Sequence, residues 1–326
     1  MGEIRITVVM ATHDSEGTVE RALESVLGQT ERRLEVIVVD DGSSDGTIGA
    51  VEGVAARDGR VTLLTQEHSG VSNARNMGLE RARGDYYAFM DDDDEILPEM
   101  YERLLAIADE RGADIVDSQL TIVYPNGTVS GSKGDGKGVR TYAEGVDALE
   151  GYLTGDALTT SANTKLFRRS TLGALRFVPG RRINEDKFLI FEALMECGRV
   201  CVSGASYYRY LKRDDSASRA GFSDRYLDAL LFADEIEQRV ASDAPQLADA
   251  ARANKVRSYI RILQLSYIRH AGPEFEGDVQ RMRSYLRGQG PAFCLKNLKK
   301  TNFARWLLLA WLPHLYGAVF SRIDNR

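Results

Sequence analysis

Tyr86-Tyr87-Ala88-Phe89-Met90-Asp91-Asp92-Asp93-Asp94 is an apolar run that ends on four consecutive aspartates. Apolar residues in unbroken succession read as a strand buried on both faces, the kind found in parallel sheets. Four carboxylates at its exit repel one another and raise one another's pKa unless a cation stands close by. An acidic run is by default a solvated loop, but one at the end of a buried strand points to a bound cation. Hard oxygen ligands suit Mg²⁺ or Mn²⁺, often shared with a substrate phosphate.

The residues upstream supply the rest of a sheet. Ile4 to Met10 reads as a strand, and Val19, Ala22, Leu23, Val26 and Leu27 follow at helical spacing on one face. Leu34 to Val39 is a second continuous apolar run. It leads into Asp40-Asp41-Gly42-Ser43-Ser44-Asp45-Gly46, residues suited to a tight turn and a helix cap. A helix over Thr47 to Arg57, a strand over Val61 to Leu64 and a helix over Val71 to Arg83 lead to the acidic strand. This alternation predicts a Rossmann-like α/β fold, a mostly parallel sheet flanked by helices. Ligands of such sheets bind at the carboxyl ends of the strands, which places Ala11 to Asp14, Asp40 to Asp45 and the Asp91 run on one rim.

Downstream the signals are shorter. Pro98 opens a helix with Met100, Leu104, Leu105 and Ala108 inward. Ala113 to Tyr124 is strand-like, Pro125-Asn126-Gly127 marks a hairpin turn, and the Gly/Lys-rich stretch Gly131 to Gly138 reads as a mobile loop. Residues 141–155 read as a helix and Thr164 to Phe167 as a short strand. Ile183-Asn184-Glu185-Asp186 precedes a helix carrying Phe188, Phe191, Leu194 and Met195, and Val200 to Val202 and Tyr207 to Leu211 read as two strands. Beyond residue 222 only helical periodicity is visible. The expected organisation is a domain over 1–215, divided near 97, and a helical region over 216–326.

Of 326 residues, 43% are hydrophobic and 28% charged, ordinary for a globular protein. The net charge of −6 gives no basic field, so nucleic acid is not an expected partner. Cys197, Cys201 and Cys294 form neither a disulfide framework nor a zinc ligand set, and read as reduced thiols. No basic segment followed by an apolar stretch opens the chain, so a cytoplasmic protein is expected.

Val8-Val9-Met10-Ala11-Thr12-His13-Asp14, Val38 through Thr47 and Phe89 through Asp94, taken together, resemble family 2 glycosyltransferases of the GT-A fold. Gly70-Val71-Ser72-Asn73-Ala74-Arg75-Asn76-Met77-Gly78-Leu79 is similar to that family's helix before the acidic strand end, and Asn184-Glu185-Asp186 to its late Glu-Asp motif. The resemblance spans residues 4 to 210. It implies a nucleotide-sugar donor, usually a UDP-sugar, and a divalent cation, Mn²⁺ or Mg²⁺. By position, Ala11, Thr12 and His13 lie along the nucleotide and Asp41 accepts a hydrogen bond from the base. Asp40 orients the turn, with the two roles exchangeable. Asp92 faces the ribose or the metal, and Asp93 is the main metal ligand, with Asp91 a further ligand or a support. The family usually has a small residue where Asp92 stands. Arg75 meets the pyrophosphate, since a guanidinium matches phosphate geometry, or is a surface helix residue.

The chemistry follows independently of the resemblance. Displacing a nucleoside diphosphate needs charge neutralisation on the phosphates, and a weakly nucleophilic hydroxyl needs a carboxylate base. Asp186, at a helix entry, is the base or simply a helix cap, and the motif match favours the base; Glu185 then positions the acceptor or the base. Lys165, in Asn163-Thr164-Lys165-Leu166-Phe167, touches acceptor or phosphate, or is an ordinary exposed lysine. His13 and His68 read as packing residues rather than metal ligands, and Asp45 as a helix cap. A dinucleotide-dependent oxidoreductase would want Gly-x-Gly-x-x-Gly after the first strand, and a nucleotidyltransferase a Gly-rich, Lys/Arg-bearing loop; Ala11 to Thr18 has neither. A sugar-nucleotide-binding or scaffold protein without catalysis has no reason to keep a repulsive acidic cluster. The expected activity is an inverting transfer to a saccharide or lipid-linked acceptor of cell-surface polysaccharide, and a second copy of the chain is left open as a partner.

From Arg281 to Arg326 the chain has nine Lys or Arg against one acid, Asp324. Within this tail lie both tryptophans, in Trp306-Leu307-Leu308-Leu309-Ala310-Trp311-Leu312, followed by Pro313. The apolar part is too short to span a bilayer. Its composition predicts a peripheral contact with an anionic membrane through residues 296–322, at the inner face of the plasma membrane, against the alternative of a helix packed on protein.

Overall fold

The computed structural model describes residues 3–131, 138–156, 158–212, 221–313 and 315–316. The interior of the predicted Gly131 to Gly138 loop lies outside the described residues. The chain divides into two compact units, 1–214 and 215–326.

The first unit opens with β1 (Ile6–Thr12), α1 (Val19–Leu27), β2 (Leu34–Asp41), α2 (Thr47–Arg57), β3 (Val61–Gln66), α3 (Val71–Arg81) and β4 (Tyr86–Asp91). β3, β2, β1 and β4 lie side by side in parallel, with Val8 opposite both Val36 and Ala88. The apolar runs therefore meet in register, and every residue of β2 is buried. The apolar face of α1 (Val19, Ala22, Leu23, Val26, Leu27) covers this sheet. On α3, Gly78 lies so close to β1 that a Cβ there would stand 2.4 Å from a Val9 methyl. Three strands run past their apolar residues onto polar ones, to Thr12, Asp41 and Asp91, and the ladder pairs Thr12 with Asp40 and Ala11 with Asp91. That extension builds the rim.

The sheet continues through β5 (Glu95–Ile96), α4 (Met100–Arg111), β6 (Ile115–Val123), β7 (Val129–Gly131), β8 (Val139–Tyr142), α5 (Gly145–Thr154), β9 (Lys165–Arg168), α6 (Arg169–Leu172), α7 (Glu185–Glu196) and β10 (Val200–Leu211). Strand order is β3-β2-β1-β4-β9-β6-β10-β5, with β7 on β6 and β8 on β10. β9 runs antiparallel to both β4 and β6, so it joins the nucleotide-side half of the sheet to the other. Two expectations need correction here. The helix expected over 141–155 begins only at Gly145, where a Glu144/Asp147 capping box starts it, and Val139–Tyr142 is a strand paired to β10. The two short strands expected at Val200 and Tyr207 are one strand whose register shifts between Val202 and Tyr208.

The second unit contains α8 (Arg225–Asp243), α9 (Ala248–Ile268), α10 (Glu276–Arg287), α11 (Pro291–Asn297) and α12 (Lys300–Trp311). α12 buries Trp306, Leu309 and Ala310, and the Trp306 indole N–H donates to the Leu286 carbonyl at 2.8 Å. Its other face carries Leu307 and Trp311, 43% and 54% exposed. Among the described residues, no helix is long and apolar enough to cross a membrane.

Candidate active site

Ala11, Thr12 and His13 at the end of β1, Asp41 at the end of β2, Val71 at the start of α3, and Asp91, Asp92 and Asp93 after β4 line one cavity of about 240 Å³. All of the residues assigned to the nucleotide except Arg75, and both assigned to the metal, are thus brought to one place. Asp40 lies beneath, its carboxylate accepting from the backbone N–H groups of Gly42 and Ser43 at 3.1 and 3.0 Å, and so shapes the turn. Asp45 accepts from the N–H of Thr47 at the start of α2 from one position outside the N-cap, which is Gly46 and not Asp45.

Asp41 is 3% exposed. Its carboxylate accepts from the N–H groups of Ser69 and Gly70, both at 2.8 Å, and from the Gln66 amide at 2.6 Å. Burial raises its pKa, but these donors outweigh burial and hold it below the usual carboxylate value. His13 and His68 flank it with ring centroids 4.3 Å apart, and both Nδ1 atoms meet the Asp41 carbonyl oxygen. A His13–Asp41–His68 group, whose ligand atoms fall within 4.8 Å of one another, is the one cluster of three metal-ligating residues among those described. Neither histidine drew weight in the sequence because the two lie 55 positions apart.

The four aspartates diverge rather than converge. Asp91 accepts from Arg75 Nη2 at 2.9 Å and from the Asn163 amide at 2.7 Å. Asp92 Oδ2 accepts from the His13 N–H at 3.3 Å, and the Asp93 carbonyl from Arg21 at 2.9 Å. Asp94 is fully buried, takes the Tyr208 hydroxyl at 2.7 Å and the Leu211 N–H at 2.8 Å, and its pKa is pushed up to about 8 by burial and then by the Asp91 charge. The repulsion read from the sequence is met by an ion pair at Asp91 and, at Asp94, by burial that favours the neutral carboxyl. Asp91, Asp92 and Asp93 all line the cavity as oxygen donors suited to a hard cation, and Asp91 is already paired to Arg75. Such a set fits Mg²⁺ or Mn²⁺, which one or two carboxylates plus substrate phosphates hold; the imidazoles of His13 and His68 suit softer ions.

Arg75 fits neither expectation held for it. It projects inward from α3, 4% exposed, with Nη1 on Glu185 (3.1 Å) and Asp186 (2.7 Å), Nη2 on Asp91, and its guanidinium over the Phe177 ring. Three carboxylates engage it, so it is not a surface residue and is not directed at a phosphate. Burial alone would weaken its charge, and the three acids outweigh that. Asp186 and Glu185 are thereby fixed at the entry of α7. Burial, then the charge of Asp186, raises the pKa of Glu185, while burial raises that of Asp91 against the pull of Arg75. The entry turns on Asn184, whose φ of +66° is a left-handed conformation that asparagine tolerates better than most residues. Asp186 Oδ2 accepts from the Ala162 N–H at 2.9 Å.

Lys165 also departs from expectation. It is fully buried, its ammonium on Asp117 Oδ1 (3.0 Å), the Thr159 carbonyl (2.8 Å) and the Ser161 carbonyl (3.0 Å), so in this structure it reaches neither acceptor nor phosphate. Asn163, Asp117 and Tyr208 went unnoticed in the sequence. Asn163 stands in the quoted Asn-Thr-Lys segment, but single polar residues in strands and turns carry no periodic signal.

The chain matches the model of Glycosyl transferase family 2 over residues 7–171. It is 33% identical over 269 residues to the succinoglycan biosynthesis protein ExoO of Rhizobium meliloti, covering 78% of this chain and 73% of that protein. It is 27% identical over 256 residues to the glycosyltransferase GlyA of Streptococcus pneumoniae, covering 72% of this chain and 34% of that one. In fold it resembles residues 1–349 of S. aureus TarS, crystallised in complex with UDP-GlcNAc, with a TM-score of 0.71 at 20% identity over 98% of this chain and 92% of that one.

Proposed function

The chain belongs to glycosyl transferase family 2 and is a glycosyltransferase, and on that premise we propose that it carries a sugar from a UDP-sugar to a hydroxyl of a saccharide or lipid-linked acceptor, with inversion, in the assembly of cell-surface polysaccharide. The observation that carries this reading is a single rim on which a nucleotide-sized set of groups (Ala11, Thr12, His13, Asp41) adjoins Asp92 and Asp93, with Asp186 held beside them through Arg75 and Asp91. The ExoO similarity supports the polysaccharide context and the TarS complex the choice of a UDP-sugar.

In this mechanism Asp41 accepts from the base of the nucleotide, and Ala11, Thr12 and His13 line its path. Asp92 and Asp93 would hold Mg²⁺ or Mn²⁺, which would supply charge neutralisation for the departing diphosphate. Arg75 places a fixed positive charge 2.7 Å from Asp186 Oδ1 and so orients that carboxylate. The acceptor oxygen bonds to the anomeric carbon on the face opposite the donor phosphate, the anomeric C–O bond to phosphate breaks, and the hydroxyl proton passes to Asp186. Glu185, with its raised pKa, adjoins the base and orients the acceptor.

The second unit supports a peripheral membrane contact at the inner face of the plasma membrane. Leu295, Leu307, Trp311, Leu312 and Leu315 are exposed within a segment, residues 291–316, that carries Lys296, Lys299, Lys300 and Arg305 and no acid. Because α12 also packs Trp306, Leu309 and Ala310, the packed-helix and membrane readings describe opposite faces of one helix. A screen of donor hydrolysis and binding over UDP-, GDP- and CDP-sugars, with and without Mn²⁺, tests the catalytic reading. Metal-stimulated turnover of a UDP-sugar is expected; no turnover or binding with any donor overturns it.

A further inference from the structure

A buried ion pair is costly. Taking a carboxylate and an ammonium out of water consumes most of their mutual attraction, and apolar residues of equal volume often give a protein at least as stable. Lys165 and Asp117 are nonetheless both fully buried, at 3.0 Å. Neither touches the cavity, so the pair calls for an account in terms of what it holds.

What it holds is one short segment. The Lys165 ammonium grips the Thr159 and Ser161 carbonyls and the Thr159 hydroxyl. Asp117 takes the Thr159 N–H at 2.8 Å and the Thr164 hydroxyl at 2.8 Å. Both ends of Thr159–Thr164 are thus fastened to one charged pair between β6 and β9, and buried backbone groups that would otherwise lack partners are satisfied. The middle of the segment faces the site. The Ala162 N–H donates to Asp186 Oδ2 at 2.9 Å, and the Asn163 amide to Asp91 Oδ2 at 2.7 Å. Those are the two carboxylates that Arg75 joins from the other side.

We propose that Lys165 and Asp117 are positioning residues: their buried pair clamps the Thr159–Thr164 segment so that Ala162 and Asn163 fix the base Asp186 and its neighbour Asp91 in their working orientation. An isolated loop of six residues would sample many conformations, and an ammonium that binds two of its carbonyls removes most of them. The proposal rests on the reading of Asp186 as the base, but the segment's structure can be measured without turnover.

The decisive variant is the full chain with Lys165→Met and Asp117→Asn together. It leaves no unpaired buried charge, so it folds where Lys165→Met alone could fail. The readout is the ¹H–¹⁵N NMR spectrum of the Ala162 backbone amide and the Asn163 side-chain amide, with hydrogen exchange. In the parent protein Ala162 N–H is expected downfield, as a donor to a carboxylate, and Asp186→Asn is expected to shift it upfield. In the paired variant the same upfield shift is expected, with exchange at Ala162 faster by about tenfold or more while the amides of β1 and β4 keep their protection. A merely structural role would loosen the whole sheet and leave no selective signature. Thr159→Val, which spares the ion pair and removes one hydroxyl from its grip, should give a smaller change of the same sign. Unchanged Ala162 shift and exchange in either folded variant overturns the proposal. Should Asp186→Asn retain transfer while the NMR result stands, the base assignment fails and the clamp survives; the reverse pattern discards the clamp alone.

Discussion

Asp94→Asn isolates the least expected member of the aspartate run. Asp94 is fully buried, and its pKa stands near 8 against an ordinary 3.8, through burial and then the charge of Asp91. A carboxyl whose folded pKa is raised binds its proton more tightly folded than unfolded. Stability from that proton is complete below the unfolded pKa and is lost as pH rises through the folded one. Between those limits each pH unit costs about 1.4 kcal/mol, so wild type gives up about 3 kcal/mol by pH 6 and about 6 kcal/mol by pH 9. Asparagine keeps a carbonyl for the Leu211 N–H, offers its amide to the Tyr208 oxygen, and never ionises. The variant is therefore expected to match wild type near pH 4 and to exceed it by those amounts at pH 6 and 9. Urea unfolding should be followed by exchange of the β4 amides, because both tryptophans lie in the second unit and would report on the wrong region. Parallel stability–pH curves for the two proteins, or an Asn variant weaker at every pH, would refute a neutral Asp94.

Asp186→Asn should cost about 10² to 10⁴ in transfer rate and leave nucleotide binding intact, measured by calorimetry alongside turnover; full activity would remove Asp186 from the base role. Arg75→Met leaves Asp91, Glu185 and Asp186 without their cation and is expected to destabilise by about 3–5 kcal/mol at pH 8. The loss should shrink toward pH 5, since the raised pKa values of Asp91 and Glu185 let them take up protons, and a pH-independent loss in denaturation experiments would contradict this. At Asn184, φ +66°, Ala should cost about 1–2 kcal/mol while Gly is tolerated, by the same measurement. Leu307→Glu with Trp311→Glu should lower sedimentation with vesicles containing phosphatidylglycerol and leave transfer to a soluble acceptor unchanged; undiminished vesicle binding would discard the membrane face.

The first half of the fold was legible because its signals are local. Continuous apolar runs, Gly/Ser/Asp turns and one amphipathic face specify β1 to β4 and α1 to α3 within a few residues of their observed ends. The errors came where tertiary context decides, as at β8, which exists because β10 offers it a partner across some 60 positions. Charge was the least legible quantity of all. Asp91, Asp92, Asp93 and Asp94 are identical letters, yet successive residues of a turn point in different directions, and what each meets lies far away in sequence. Tyr208, which meets Asp94, is 114 positions downstream, and Glu185, which shares Arg75 with Asp91, is 110 positions beyond that arginine. The sequence suggested one cation as the answer to four charges. Burial pushes the pKa of Asp94 up to about 8 and Asp91 is paired to Arg75, while Asp92 and Asp93 line the cavity beside them. On the proposed function, Asp92 and Asp93 would suit an ion that one or two carboxylates share with substrate phosphates. On that reading the donor's phosphates would complete the coordination, and the cation would be held firmly only when the donor is present.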